Sequence, residues 1–367
     1  MRKVIHINKA FSIIGGVEKY IRDVSSYDYK YADQIDVLAI SDNFFGRRIS
    51  LKNGEAIECA KLFSLASAPF SLTFIFRFII IAFKYDVLHF HYPNPIGEMM
   101  LVIMRPFLQK KKIIVTYHND VSSEKPFSKI YNRFAKFFFG SVNKILVTSP
   151  NLGKSAEVIQ GYSNKIEVIP LGINIKNIIH SPIGNNVNHI EKPLLEILFV
   201  GRLAAVKGID YLIKSVRNLN VRLTIVGSGE KDTHLKNLAL SIGASNIIFA
   251  GEISKEDLIK KYHAADLFIL PSVTRGEGFG YVVLEAMANG CAIITTEIGT
   301  GTSYVNLNED TGLVVAPAST DELKKAIQRF DEDRNFLIRC GNRAKERVNN
   351  FTIQKLISRL DQVYKPD

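Results

Sequence analysis

Short apolar runs recur along this chain, each followed by a glycine-rich or polar break and then a stretch with helical spacing. Lys3–Asn8 (KVIHIN), Ile35–Ile40 (IDVLAI), the run inside YDVLHFHYPNP, IIVTY before His118, KILVTSP and IEVIPLGIN form a first set. Between Ile178 and Pro193 the pattern stops, and Asn, Gly, Pro and Ser accumulate without a period. It restarts with LEILFV and continues through VRLTIVG, NIIFAGEIS, LFILPS, AIITT and GLVV. Apolar runs alternating with helical stretches predict parallel strands with helices between them. The expectation is therefore an α/β protein of two doubly wound, Rossmann-like domains, residues 1–180 and 181–350. An amphipathic helix follows over 351–367 (FTIQKLISRLDQVYKPD).

One segment resists this reading. From Phe44 to Lys84 the pattern says little, apart from the run PFSLTFIFRFIIIAF (Pro69–Phe83). That run is shorter than the roughly 20 residues a membrane span needs and carries Arg77, so a strongly apolar helix, packed or interfacial, is expected. A length of 367 residues and 47 % hydrophobic content suit two cores. The N-terminus is too polar for a signal peptide. Cys59, Cys291 and Cys340 are scattered and form no pair motif, which fits a reducing cytoplasm.

Charge is uneven. Residues 1–180 hold 24 lysines and arginines against 14 acids, while the rest hold 23 against 22. A basic half predicts a polyanionic partner, nucleic acid or an anionic membrane. In SKIYNRFAKFFFG (Ser128–Gly140), Lys129, Arg133 and Lys136 recur at helical spacing among Ile130, Phe134, Phe137 and Phe138. That mixture fits a membrane surface, to which Arg105, Lys110, Lys111 and Lys112 add charge. A solvated basic face over a core-facing aromatic stripe is the alternative. Nucleic-acid binding is disfavoured, because the aromatics lie in helical runs and not on a sheet where bases stack.

Candidate chemistry concentrates in Leu267–Gly290, LFILPSVTRGEGFGYVVLEAMANG. It reads as a buried strand, a glycine loop and a helix with Val283, Leu284 and Met287 on its apolar side. Free backbone N–H groups and the positive end of a helix dipole favour an anion there. Gly276, Gly278 and Gly280 allow close approach of the main chain. Glu277 lies in the loop and Glu285 about one turn into the helix. Carboxylates repel phosphate, so these two suit sugar hydroxyls, and the whole suits a sugar nucleotide. Arg202 and Lys207 in GRLAAVKG leave the end of LEILFV, a fork and a point charge for a diphosphate. Gly15 and Gly16 sit in a strand–GG–helix turn near the N-terminus. VGSGE places Gly227 after another strand, but no third glycine follows and a dinucleotide fingerprint is not supported. His118 stands at the carboxyl end of IIVTY, where an imidazole faces the ligand edge of an open sheet; a locally bonded loop histidine is the alternative. His89 and His91 share a parity, yet no third metal ligand is in sight. The acids Asp331–Asp333 follow an amphipathic helix and read as a helix-end turn.

EGFGYVVLEAMANG resembles the E-x7-E signature of the family 4 retaining glycosyltransferases, which have the GT-B fold. GRLAAVKG is similar to that family's G-R-x(3–4)-K-G pattern, GGVEKYI to its N-terminal glycine loop, and GEIS, with Ile253, to the loop that meets the base. EIGTGTSYVNLNEDTGLVV (from Glu297) resembles the bacterial mannosyltransferases of that family that build O-antigen and capsule repeats. The resemblance implies two domains facing across a cleft, with the last helix returning to the first. It implies a donor site of Gly15, Gly16, Arg202, Lys207, Gly227, Ile253, Glu277, Gly278, Phe279, Gly280 and Glu285. Arg202 and Lys207 would hold the phosphates, Glu277 orient the donor sugar, Glu285 hold the ribose, and His118 steady the reacting sugar. No pair of carboxylates stands out as an inverting acid and base.

The implied function is a retaining, metal-independent hexosyltransferase that needs no cofactor. It moves mannose from GDP-mannose to a lipid-linked oligosaccharide, and it works in the cytoplasm, peripheral on the inner face of the plasma membrane. A UDP-sugar donor, or a sugar-nucleotide isomerase of the same architecture, are the alternatives.

Overall fold

The structure, a computed structural model, describes residues 1–12, 15–43, 45–65, 68–121, 128–178 and 194–366. Beyond Ile178, the expected linker lies outside the described residues. The chain divides into two compact units, Met1–Gly172 with Ile353–Asp367, and Ile173–Thr352. Composition places the first boundary at residue 180. The structure places it at 172, because Ile173 bridges to Thr352 and its N–H donates to the Phe351 carbonyl at 2.9 Å.

The first unit is built on an eight-stranded sheet. Its strands are β1 (Arg2–Ile7), β2 (Ala32–Ser41), β3 (Arg47–Leu51), β4 (Gly54–Ala60), β7 (Val87–Tyr92), β8 (Lys112–Tyr117), β9 (Lys144–Val147) and β10 (Ile166–Val168). A small hairpin, β5 (Phe63–Leu65) and β6 (Ala68–Phe70), lies outside it. The sheet order is β10-β9-β8-β7-β1-β2-β4-β3, and every pair is parallel except β3 with β4. Strands buried on both faces need near-continuous apolar runs, which is why KVIHI, DVLAI and KIIVTY were legible. β4 was not, because its run is broken by Glu58. That carboxylate is buried and accepts from Arg47 Nε at 2.6 Å and from the Ser12 N–H at 3.0 Å.

The apolar run at Pro69–Phe83 forms the helix Leu72–Ala82. Ser71 caps it by accepting from the Phe74 N–H at 3.1 Å. Phe74, Phe78 and Ala82, four residues apart, enter the core, whereas Phe76 and Ile80 are 66 % and 60 % exposed. The last helix, Ile353–Tyr364, belongs to the first unit. Asp361 accepts from the Tyr31 N–H at 2.8 Å, and Arg359 donates to the Val168 carbonyl at 3.4 Å.

The second unit holds β11 (Leu195–Val200), β12 (Val221–Val226), β13 (Ile247–Gly251), β14 (Leu267–Leu270), β15 (Ala292–Thr296) and β16 (Gly312–Val315). Their order is β13-β12-β11-β14-β15-β16, parallel throughout. The chain runs outward from β11 to β13, then returns to lay β14 on the other side of β11. The switch point therefore falls between β11 and β14, where open α/β sheets bind their ligands. Asp331–Asp333 end the helix Thr320–Glu332, as the sequence predicts. Asp333 caps the next helix by accepting from the Phe336 N–H at 2.8 Å. Among the described residues, no helix is long and apolar enough to cross a membrane.

Asn306, fully buried, ties β15 to β16. Its amide donates to Thr295 Oγ1 at 3.0 Å and to the Leu313 carbonyl at 2.9 Å, and its oxygen accepts from Thr311 Oγ1 at 2.8 Å. Asn306→Ala strands these partners away from water. It should cost about 2–3 kcal/mol, read as a lower urea midpoint with an unchanged slope.

Candidate functional site

In the second unit the expected donor residues gather at the carboxyl ends of β11, β12, β13 and β14. The loop after β11 tightens into a 3-10 turn, Ala205–Lys207, closed by Gly208 in the left-handed region (φ 64°). A Cβ at Gly208 would stand 2.2 Å from the Pro271 carbonyl oxygen, so only glycine lets the turn lie against the end of β14. This approach carries Lys207 to the glycine loop, where its Nζ donates to Glu277 Oε2. The two side chains are 17 % and 12 % exposed. The other carboxylate oxygen, Oε1, accepts from the Gly280 N–H at 3.2 Å, and the Glu277 carbonyl accepts from Thr300 Oγ1 at 2.7 Å.

Glu277 is thus held on three sides at the entrance to the helix Tyr281–Ala288. Gly278 is fastened there too, its carbonyl accepting from the Gly301 N–H at 2.8 Å. The expected helix packing is observed: Val283, Leu284 and Met287 are fully buried. Glu285, one turn in, accepts from the Tyr262 hydroxyl at 3.0 Å.

Two of the expected residues have other side-chain neighbours here. Arg202 and Lys207 do not converge on one point. Arg202 is exposed and donates to Glu230 Oε2 at 2.8 Å, because that carboxylate lies beside it on the turn after β12. Phe279 turns its side chain into the core, its ring centroid 6.0 Å from that of Phe351, so only its main chain faces the loop. Gly227 (φ 127°) serves close packing: a Cβ there would stand 2.1 Å from the Gly201 carbonyl oxygen. Its N–H donates to Gly251, two residues before the half-buried Ile253.

In the first unit, Gly15 precedes the helix Gly16–Val24, whose Lys19 N–H donates to the Gly15 carbonyl at 2.9 Å. His118 lies just past β8 and is 5 % exposed. It is not a loop histidine bonded locally. Its Nε2 is 3.0 Å from His91 Nδ1, and His91 Nε2 is 2.9 Å from His6 Nδ1. Sequence reasoning singled out His118 but missed His6 and Tyr364, whose hydroxyl lies 2.7 Å from His89 Nδ1. The available signal was a lone histidine inside the apolar run VIHIN and the alternation in HFHY: β1 and β7 are neighbours, with His6 opposite His89. Burial drives all four imidazoles below their ordinary value, His6 and His118 to about 3. All four are therefore neutral near pH 7.

Two family profiles match the chain, "Glycosyltransferase Family 4" over residues 14–177 and "Glycosyl transferases group 1" over residues 185–347. O-antigen chain mannosyltransferase C of Escherichia coli is 28 % identical over 99 % of this chain and 98 % of its own. D-rhamnosyltransferase WbpZ of Pseudomonas aeruginosa is 28 % identical over 95 % and 92 %. Among solved structures, sucrose-phosphate synthase from Thermosynechococcus elongatus superposes with a TM-score of 0.78 at 22 % identity, covering 99 % and 98 %. Anabaena Alr3699/HepE in complex with UDP and glucose superposes with a TM-score of 0.78 at 17 % identity, covering 99 % of both chains.

The buried imidazoles set a pH dependence of stability. Unfolded histidines take up protons below about pH 6.5, whereas folded His6 and His118 stay neutral to about 3 and burial holds His89 and His91 well below their ordinary value. The unfolded state then binds more protons, so stability is full above about 6.5 and falls as pH drops toward 3. Each histidine contributes up to about 1.4 kcal/mol per pH unit in that window. Glu98, which burial pushes up to about 7, acts oppositely between pH 7 and its ordinary value, as one group against four. Urea midpoints at pH 7.5, 6 and 5 should decline in that order.

Proposed function

The chain belongs to the family 4 glycosyltransferases with the GT-B fold, and on that premise we propose that it transfers a hexose from a nucleoside diphosphate sugar with retention at the anomeric carbon. The observation that carries this reading is the Lys207–Glu277 pair at the switch point, beside the N-terminus of the helix Tyr281–Ala288. In the free protein the two side chains satisfy each other. A donor's diphosphate draws Lys207 and the helix N–H groups to itself, and Glu277 turns to the sugar hydroxyls. Leaving-group charge grows on the diphosphate as the sugar departs. A fixed cation and aligned backbone dipoles meet it without reorganising, each donor being worth about 10²–10³ in rate. Arg202, on its exposed turn, leaves Glu230 to add a second cation. Glu285 takes the ribose, the backbone at Ile253 the base, and His118 the reacting sugar. No metal is required: the charge is met by protein groups.

The O-antigen chain mannosyltransferase relative supports mannose as the sugar transferred; we propose GDP-mannose as its donor and a lipid-linked oligosaccharide as the acceptor. The UDP complex of Alr3699/HepE supports a UDP-sugar as the second reading. A place on the anionic inner face of the plasma membrane is supported by the first unit's surface. Phe76, Ile80, Phe107 and Phe137 are each at least 60 % exposed, and Arg133 and Lys136 are exposed on the same helix as Phe137. Apolar side chains inserted below headgroups and basic ones paired with them make an interfacial anchor.

Glu277→Ala should keep the fold and lose more than about 10²-fold in turnover, and EDTA should leave the wild-type rate unchanged. Thermal shift against GDP-mannose and a panel of UDP-sugars should raise the melting point with one base only. No shift with any donor overturns the reading. Phe76→Ser combined with Ile80→Ser should reduce co-sedimentation with phosphatidylglycerol vesicles while leaving turnover on a soluble acceptor intact.

A further inference from the structure

Four histidines, a tyrosine and a threonine form one hydrogen-bonded line through the first unit. Its links are His118 Nε2 to His91 Nδ1 at 3.0 Å, His91 Nε2 to His6 Nδ1 at 2.9 Å, and His6 Nε2 to the Tyr364 hydroxyl at 3.4 Å. Tyr364 continues to His89 Nδ1 at 2.7 Å, and His89 Nε2 to Thr116 Oγ1 at 2.7 Å. The four imidazoles and Thr116 are at most 5 % exposed, and Tyr364 is fully buried. Tyr20, which bonds Thr116, sets its ring edge-on to both His91 and His118, with centroids 5.7 and 5.3 Å apart. Nothing in the proposed chemistry uses any of these groups except His118.

A neutral imidazole has one N–H and one bare nitrogen. When every link is nitrogen to nitrogen, fixing the proton on one ring fixes it on all. The His6–His91–His118 run therefore has two arrangements only: each ring donates away from His118, or each donates toward it. Tyr364, with a single hydroxyl proton, chooses between them. Its 2.7 Å link to His89 is at the commonest length for an O–H donor and the short limit for an N–H donor, while its 3.4 Å link to His6 is long for either, so the one hydroxyl proton belongs on the short link. Tyr364 donates to His89, and its oxygen accepts from His6 Nε2–H. His6 Nδ1 is then bare and accepts from His91 Nε2–H, and His91 Nδ1 accepts from His118 Nε2–H. Beyond His89, whose Nε2 must now carry the proton, Thr116 Oγ1 accepts and passes its own hydrogen to Tyr20.

We propose that Tyr364, His6 and His91 are positioning residues that lock His118 in its Nε2–H tautomer, so that its Nδ1 meets the substrate as a hydrogen-bond acceptor. Nδ1 is the one polar ring atom left to His118, and as an acceptor it takes a proton-bearing group of the sugar, a hydroxyl. It would not serve an oxygen that needs a donor. Burial supports the scheme by keeping the rings neutral; an imidazolium would present two donors and break the line. The inference rests on the reading of His118 as the residue beside the reacting sugar.

The test uses the full-length protein labelled with ¹⁵N-histidine, whose ring-nitrogen shifts separate protonated from bare positions. In the wild type, His118 Nδ1 should carry the bare-nitrogen shift and Nε2 the protonated one; the reverse overturns the proposal. Tyr364→Phe removes the hydroxyl that sets the direction. It should convert the single His118 tautomer into a mixture and lower kcat several-fold, with little change in the KM for donor. An unchanged His118 tautomer in that variant also overturns the proposal. His118→Ala tests the underlying reading separately: full turnover there removes His118 from the chemistry whatever its tautomer, whereas loss of turnover beside an unperturbed tautomer in Tyr364→Phe leaves that reading standing and sinks the relay alone.

Discussion

In a parallel sheet all strands point one way, so every carboxyl end delivers its loop to a single edge. Backbone hydrogen bonding imposes this before any side chain is chosen, and the second unit's site depends on it. β11 and β14 are far apart in sequence but adjacent in the sheet, and the loops that follow them must meet. Lys207 and Glu277, seventy residues apart, become partners for that reason. The glycine at 208 is the local concession that lets the two loops touch.

The first unit obeys the same rule with a different content. Its central strands are buried on both faces, and such strands are ordinarily apolar throughout. Here β1 and β7 carry three histidines, and each buried nitrogen needs a partner. The solution is mutual: each imidazole satisfies the next, and the helix Ile353–Tyr364 supplies the hydroxyl at the far end. The polar content of this core is stabilising only as a complete set, since a half-satisfied network in a low dielectric costs more than apolar packing.

How much of this was legible follows from the same physics. Both sheets could be read because double burial demands unbroken apolar runs, and all six strands of the second unit stand out. The antiparallel edge of the first sheet could not, because a strand such as RRISL (β3) has one neighbour and no apolar period. Lys207, Glu277, Gly280 and Glu285 were recognisable by motif and fall together. The burial of the Phe279 side chain was not legible, since a motif does not say whether a side chain or its backbone faces a ligand. Arg202 was assigned correctly to the loop, but its partner Glu230 lies on the next strand's turn and follows only from the sheet order. The histidine line was invisible for a related reason: its members come from β1, β7, the end of β8 and the C-terminal helix, and only strand adjacency joins them.

The return of the final helix has a consequence for synthesis. A ribosome makes residues 1–172 first, but the hydroxyl and the helix face that complete their core arrive last, after the whole of 173–352. The earlier portion waits for its last helix while the later one is translated. The histidine line of the first unit therefore gains its tyrosine only after the second unit has been made.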